Sequence, residues 1–274
     1  MQIRTLIENH PHPDRGDLAG EHGLSFFIEV NGHVYLSDVG QSGKFADNAG
    51  KMGLDLSRVE ALAISHHHYD HGGGLRRFFE ENNNAAVYLR EASTEDFVVD
   101  SPPDPLRYVG LDKGLLKKHT ARIERINKNQ EVAPGLHLLT AIPDRFPKPS
   151  GDMRLKMLGE DGLQSDSFKH ELVTVIEGRD GLVVLTGCAH NGVLNMIAAV
   201  REAFPDEAIQ AVVGGFHLHH EDREEILAVG EKLLAEKIPQ IVSGHCTGNK
   251  ALNLLEACLG ERFQRLYTGM VLSF

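Results

Sequence analysis

The run Ser65-His66-His67-His68-Tyr69-Asp70-His71-Gly72-Gly73-Gly74 concentrates four donors that could act together: His66, His68, Asp70 and His71. Imidazole and carboxylate groups of this kind suit zinc and other first-row divalent ions. On an extended segment His66 and His68 point the same way, because side chains alternate. Asp70 and His71 then turn the corner and can serve a neighbouring ion. One short loop can thus feed two metals, but it cannot complete both shells. The plain alternative is a polar surface turn with incidental histidines, or a tag-like run. The embedded carboxylate, the apolar strand predicted at 59–65 and the three glycines weigh against it.

The missing donors are expected at other strand ends. Residues 182–192 read as a strand, a turn and a helix start, with Cys188 and His190 at the turn. Residues 212–218 and 241–248 end in the same way at His217 and His245. Each histidine follows a buried strand, where loops converge in layered folds. One such histidine would more often be a hydrogen-bonded structural residue. Three of them, beside the first cluster, point to a shared site. His245 is expected as a ligand, while His217 is open between ligand, substrate contact and proton shuttle. The chain has 16 histidines, but His10 and His12 flank prolines in a loop and read as incidental.

These donors must be held by ordered elements. A strand is predicted at 23–30, a tight hairpin at Asn31-Gly32 and a partner strand at 33–39. A helix over 45–53, the strand at 59–65, a helix over 75–81 and a strand at 85–89 follow. Residues 91–130 read as an insertion decorating the core, with a loop at 101–105 and an extended amphipathic segment at 113–126. Strand character resumes at 136–142. Residues 143–164, rich in Pro, Gly and charge, are expected to form a loop ordered near the site. Beyond them strands (172–176, 182–186, 209–213, 240–242) alternate with helices (192–204, 223–236, 250–259), and strands at 265–267 and 270–272 close the chain. No repeat or linker divides it, so a single domain over 1–274 is expected. Its pattern fits layered αβ packing, with helices outside a pair of sheets.

Bulk composition narrows the partners. A formal charge of −11 disfavours nucleic acid as the main substrate. No stretch approaches the roughly 20 apolar residues of a membrane span, and the N-terminal residues are too polar for a secretory signal. A cytoplasmic location is the expectation, with a small-molecule substrate, possibly phosphorylated, and no membrane partner. Three cysteines, Cys188, Cys246 and Cys258, do not suggest a disulfide framework. Cys258 falls on a predicted helix and reads as core.

The arrangement resembles the metallo-β-lactamase superfamily, with the His-x-His-x-Asp-His motif intact at His66–His71, and the resemblance runs from Gly23 to Phe274. It implies a four-layer αβ/βα sandwich. Glu21-His22-Gly23-Leu24-Ser25 through Ser37-Asp38-Val39-Gly40 is similar to the family's first strands, whose aspartate orients the metal loop. Asp38 takes that role here, holding a ligand imidazole by hydrogen bond. Thr-Gly-Cys-Ala-His, Gly-Gly-Phe-His-Leu and Gly-His-Cys-Thr-Gly resemble the branch described as dihydropterin-ribofuranosylaminobenzene-phosphate synthase-like. Superfamily hydrolases usually carry a bridging aspartate where this chain has Gly187-Cys188. Either Cys188 replaces it, since a metal would deprotonate a thiol, or His190 contributes instead; His190 is favoured. His170 lies near the place of many relatives' third histidine and stays in reserve.

The resemblance implies two divalent ions, zinc first, with manganese or iron also compatible. They would activate water against a carbonyl or phosphoryl centre, making the chain a metal-dependent hydrolase. Asp70 and His217 are the candidate catalytic groups. The competing reading is a pterin-related transferase. A di-iron redox or sensing protein ranks lower, because no flavodoxin-like segment is present. A purely structural zinc site would be richer in cysteine.

Overall fold

In the computed structural model, residues 1–91 and 96–274 are described. Among them two seven-stranded sheets pack face to face, and four further strands form a third sheet. The first sheet runs in the order Val271–Ser273, Gln2–Ile7, Ser25–Val30, His33–Ser37, Ala61–Ile64, Ala86–Arg90, Ile123–Ile126. The second runs Phe263–Arg265, Gln240–Gly244, Ile209–Gly215, Gly181–Thr186, Val173–Gly178, Leu136–Leu139, Gln130–Ala133.

Alternation along the strands builds the layers. Ala61 and Ala63 face the other sheet, while Leu62 and Ile64 face the outer helices Lys44–Lys51 and Leu75–Glu81. In the second sheet Val183 and Leu185 point inward, and Leu182 and Val184 meet the helices Val193–Ala203, Arg223–Ala235 and Asn249–Leu259. Burying both faces of each strand gives three apolar cores, one between the sheets and one under each helical layer. The result is the four-layer αβ/βα sandwich. Local chemistry agrees with it. Asn31 and Gly32 both adopt positive φ (51° and 89°), as a two-residue hairpin turn demands. Asp222 and Glu225 form a capping box at the start of the Arg223–Ala235 helix. Among the described residues no helix is long and apolar enough to cross a membrane.

Three segments differ from the sequence reading. Gln2–Ile7, judged above only for its polarity, is an interior strand of the first sheet. The span 113–126 is not one extended piece. It forms the helix Lys113–Lys118, a 3-10 turn and the strand Ile123–Ile126, which joins the first sheet beside Ala86–Arg90. Asp112 caps the helix by accepting from Leu115 N–H at 2.9 Å, and Ile126 needs a buried neighbour. The stretch 143–164 holds a 3-10 turn at Ser150–Arg154, then the strands Leu155–Gly159 and Gly162–Ser165. They pair with Asp96–Val99 and Arg107–Tyr108 as the third sheet, which lies over the His66–His71 loop. Tyr69 N–H donates to the Val109 carbonyl at 2.8 Å, tying the loop to that cover.

Candidate metal centre

Parallel pairing aligns the carboxyl ends of the strands that carry the chemistry. Asp38, Ala189, His217 and His245 follow those ends, and each has a positive φ of 50–59°. Non-glycine residues rarely take this conformation, which costs of order 1–3 kcal/mol each. Four together at one edge indicate turns shaped for what they hold.

Asp38 organises the loop. Its Oδ1 accepts Ser65 N–H at 2.7 Å, and its Oδ2 accepts Ser65 Oγ–H at 2.8 Å and His71 Nδ1–H at 2.7 Å. His71 therefore presents a bare Nε2. Burial pulls the His71 imidazole down, but Asp70 and Asp38 outweigh it and raise its pKa.

The structure brings His66, His68 and His190 together, with donor atoms within 4.8 Å of one another. Nε2 of each is buried without a hydrogen-bond partner. Burial, then the neighbouring imidazoles, holds His66 and His190 well below the usual histidine range. Burial and His170 take His68 to about 3. These rings stay neutral at physiological pH and keep lone pairs to offer.

A second group comprises Asp70, His71, Cys188 and His245. His71 Nε2 lies 3.2 Å from His245 Nε2, 3.2 Å from Cys188 Sγ and 3.6 Å from Asp70 Oδ2. His245 Nε2 is 3.2 Å from Asp70 Oδ2. His245 Nδ1 pairs with Asn9 Oδ1 at 2.9 Å and so donates, which leaves its Nε2 bare as well. Two lone-pair nitrogens facing at this distance need a cation between them, either a proton or a metal ion. Nitrogen and oxygen donors about 2.0–2.1 Å from a tetrahedral ion are about 3.3–3.4 Å apart, so the donor set fits a divalent metal. Burial would raise the Asp70 carboxyl, but His71, His22 and His245 hold it well below its ordinary value. Cys188 also groups with His190 and His217 and so lies between the two sets. Burial and the nearby Cys246 push its thiol up.

Other expected residues are placed as follows. His217 is buried, its N–H donating to Cys246 Sγ at 3.3 Å. His170 has both ring nitrogens engaged: Nδ1 accepts His67 N–H at 3.0 Å, and Nε2 meets Asp166 Oδ2 at 3.0 Å. It braces the loop. His67 turns away to donate from Nε2 to the Arg90 carbonyl at 2.9 Å.

Several participants were missed from sequence. His22 Nε2 sits 3.2 Å from Asp70 Oδ2. Glu8 accepts His245 N–H at 2.5 Å. Glu171, fully buried and raised by that burial, accepts the backbone N–H groups of His190 and Asn191 and the Asn191 amide, each at 2.8 Å. Asp152 Oδ1 lies 2.7 Å from His190 Nδ1 and 3.2 Å from His217 Nε2. Burial and the carboxylates of Glu171, Asp166 and Glu221 push the Asp152 carboxyl up to about 9. The only available signal was position: Asp152 lies in the stretch expected to order near the site.

Above the donors opens a cavity of about 360 Å³. His68, Asp70, Cys188, His190, His217 and His245 form one wall. Val99, Arg107, Val109 and Leu155 of the covering segments form the other.

Comparison with known proteins agrees with this geometry. The chain is 26% identical over its whole length to 97% of 7,8-dihydropterin-6-methyl-4-(beta-D-ribofuranosyl)-aminobenzene-5'-phosphate synthase from Methanocaldococcus jannaschii. It superposes on the crystal structure of Tm1679, a metal-dependent hydrolase of the beta-lactamase superfamily, with a TM-score of 0.86 and 29% identity, covering 100% of this chain and 99% of that one. Zinc-bound PqqB from Methylobacterium extorquens shares the fold at 13% identity and a TM-score of 0.59, over 100% of both chains. The family model of the metallo-beta-lactamase superfamily matches residues 18–245, and the chain belongs to that superfamily.

Proposed function

We propose that the chain is a metal-dependent hydrolase acting on a carbonyl or phosphoryl ester of a small molecule. The observation that carries this reading is the meeting of two donor sets at Cys188, on the wall of one cavity. His66, His68 and His190 would hold one divalent ion, and Asp70, His71, His245 and Cys188 the other, with zinc the first choice. Such a pair supplies Lewis acidity, acidifying water and neutralising charge that develops on the substrate oxygen. The chain's own groups do the rest. His217, with Nδ1 buried and free, is placed to take up a proton. Arg107, its guanidinium 5.7 Å from the centre of the Tyr69 ring, offers positive charge to an anionic substrate group. The apolar Val99, Val109 and Leu155 shield the cavity from water.

A second reading has its own support. Similarity to the dihydropterin synthase spans the whole chain, so transfer between a pterin and a phosphorylated aromatic riboside deserves a parallel assay. Purified chain, metal-loaded or stripped with chelator, is offered phosphodiester, lactone and thioester substrates. In a separate arm it receives the pterin and riboside phosphate together, and products are read by mass. Metal-dependent turnover of an ester supports hydrolysis, whereas a condensation product with no ester turnover replaces it with transfer. Equal turnover with and without metal would refute both.

The thiol donor has a specific test. Cobalt-loaded protein should show sulfur-to-metal charge-transfer absorption, and Cys188→Ser should abolish it. An unchanged spectrum in the variant would remove Cys188 from the donor set.

A further inference from the structure

Asp152 stands apart from the other carboxylates of the centre. It comes from the covering segment, on the 3-10 turn Ser150–Arg154, and not from a strand end. Among the described residues it belongs to none of the groups whose donor atoms converge. Instead one oxygen, Oδ1, faces two imidazoles at once: His190 Nδ1 at 2.7 Å and His217 Nε2 at 3.2 Å. With the acid proton on Oδ2, which is buried and without a partner, Oδ1 keeps two lone pairs to face both rings. The opposite nitrogens, His190 Nε2 and His217 Nδ1, are buried without partners. The His190 contact has hydrogen-bond geometry, and the His217 approach is a close polar contact. His190 therefore carries its proton on Nδ1, and Nε2 is the His217 nitrogen that faces an acceptor.

We propose that Asp152 is a positioning residue, which locks His190 and His217 in opposite tautomers and so aims one bare nitrogen from each into the centre. His190 then presents Nε2 towards His66 and His68, and His217 keeps Nδ1 as a free base. The inference rests on the metal-centre reading above, but it concerns a residue outside the donor sets. It also gives the covering segment a function. That segment has a second, largely apolar cavity of about 210 Å³ on its other side, lined by Pro147, Pro149, Val193, Phe216 and Leu218. Phe146 packs against the core beside it, and polar ties add to that hold. Among them are Asp152 itself, Ser150 N–H and Oγ–H donating to Glu221 Oε1 at 2.6 and 2.8 Å, Lys148 Nζ donating to Asn191 Oδ1 at 3.0 Å, and the Arg145 and Phe146 N–H groups donating to Asn195 Oδ1 at 2.9 and 2.8 Å.

The test compares wild type, Asp152→Ala and Asp152→Asn as full chains. Cobalt affinity is measured by competition with a chromophoric chelator. Removing a partner that orients a metal-bound histidine typically weakens metal binding 10–100-fold, and Asp152→Ala should fall in that range. Asp152→Asn, which keeps an oxygen acceptor, should lose less. Nitrogen-15 spectra of the histidine side chains, recorded on the zinc-loaded and metal-stripped chains, report the tautomers directly. Wild type should show His217 protonated on Nε2 and bare on Nδ1, and Asp152→Ala should release it to a tautomer mixture. Cobalt binding and the His217 tautomer both unchanged in Asp152→Ala would overturn the positioning role while leaving the metal centre standing. Failure of wild type to bind cobalt would overturn the metal centre and this role with it. If Asp152→Ala does not fold, Asp152→Asn must still shift the histidine signals, and its silence would overturn the proposal.

Discussion

Replacing His190 with alanine should strip the chain of the ion held by His66 and His68, and activity should vanish with it. His190 supplies one of three buried nitrogens that have no other partner. Binding a structural zinc with four ligands is worth about 10–16 kcal/mol. Each ligand thus carries roughly 2.5–4 kcal/mol, and losing one should weaken binding by about 70- to 900-fold. Elemental analysis after dialysis should find metal reduced relative to wild type, and turnover should fall at least as far as occupancy. The fold should survive, because His190 packs on Phe168 with ring centroids 4.4 Å apart and a small residue leaves only a local gap. A variant with full metal content and full activity would sink the proposed centre.

The largest stability effect is expected at Asp38. Its carboxylate is buried and accepts from Ser65 N–H, Ser65 Oγ–H and His71 Nδ1–H. Asp38→Ala removes three buried hydrogen bonds and leaves His71 Nδ1–H only a 3.4 Å approach to Ser65 Oγ; each lost bond costs about 1–3 kcal/mol alone, with less than additive effect because they share one partner. A loss of about 3–5 kcal/mol follows, or a fall in melting temperature of order 10 °C for a chain of this size. Alanine also tolerates the positive φ of 59° poorly, whereas asparagine accepts it. Asp38→Asn keeps one acceptor and should lose roughly half as much. Melting curves recorded with chelator separate this effect from metal binding. An Asp38→Ala curve that coincides with wild type would show that the network contributes nothing to stability.

What could be read without coordinates was local. The His66–His71 loop declares its donors within six positions, and each strand-end histidine follows an apolar run that only a buried strand explains. The supports were not legible, because proximity in space gives them their roles. Glu8 meets His245 across 237 positions of chain, and Asp152 meets His190 across 38. No spacing rule connects such pairs. Other features had a signal that was outweighed. Asp161-Gly162 is a hairpin signal, and the chain does turn at Glu160 and Asp161 between Leu155–Gly159 and Gly162–Ser165, yet the surrounding Pro, Gly and charge suggested a loop. In the same way Ile3 and Thr5 alternate as a strand should, but polar neighbours concealed it.

The two walls of the cavity are built from separate stretches of chain. Donors hang from turns at the ends of core strands, while Val99, Arg107, Val109 and Leu155 belong to the four-stranded sheet and its connections. A change in one wall can therefore accumulate without dismantling the other. Exchanging the covering sheet between homologues offers a route to altered selectivity on an unaltered reactive edge, provided that Asp152 travels with the graft.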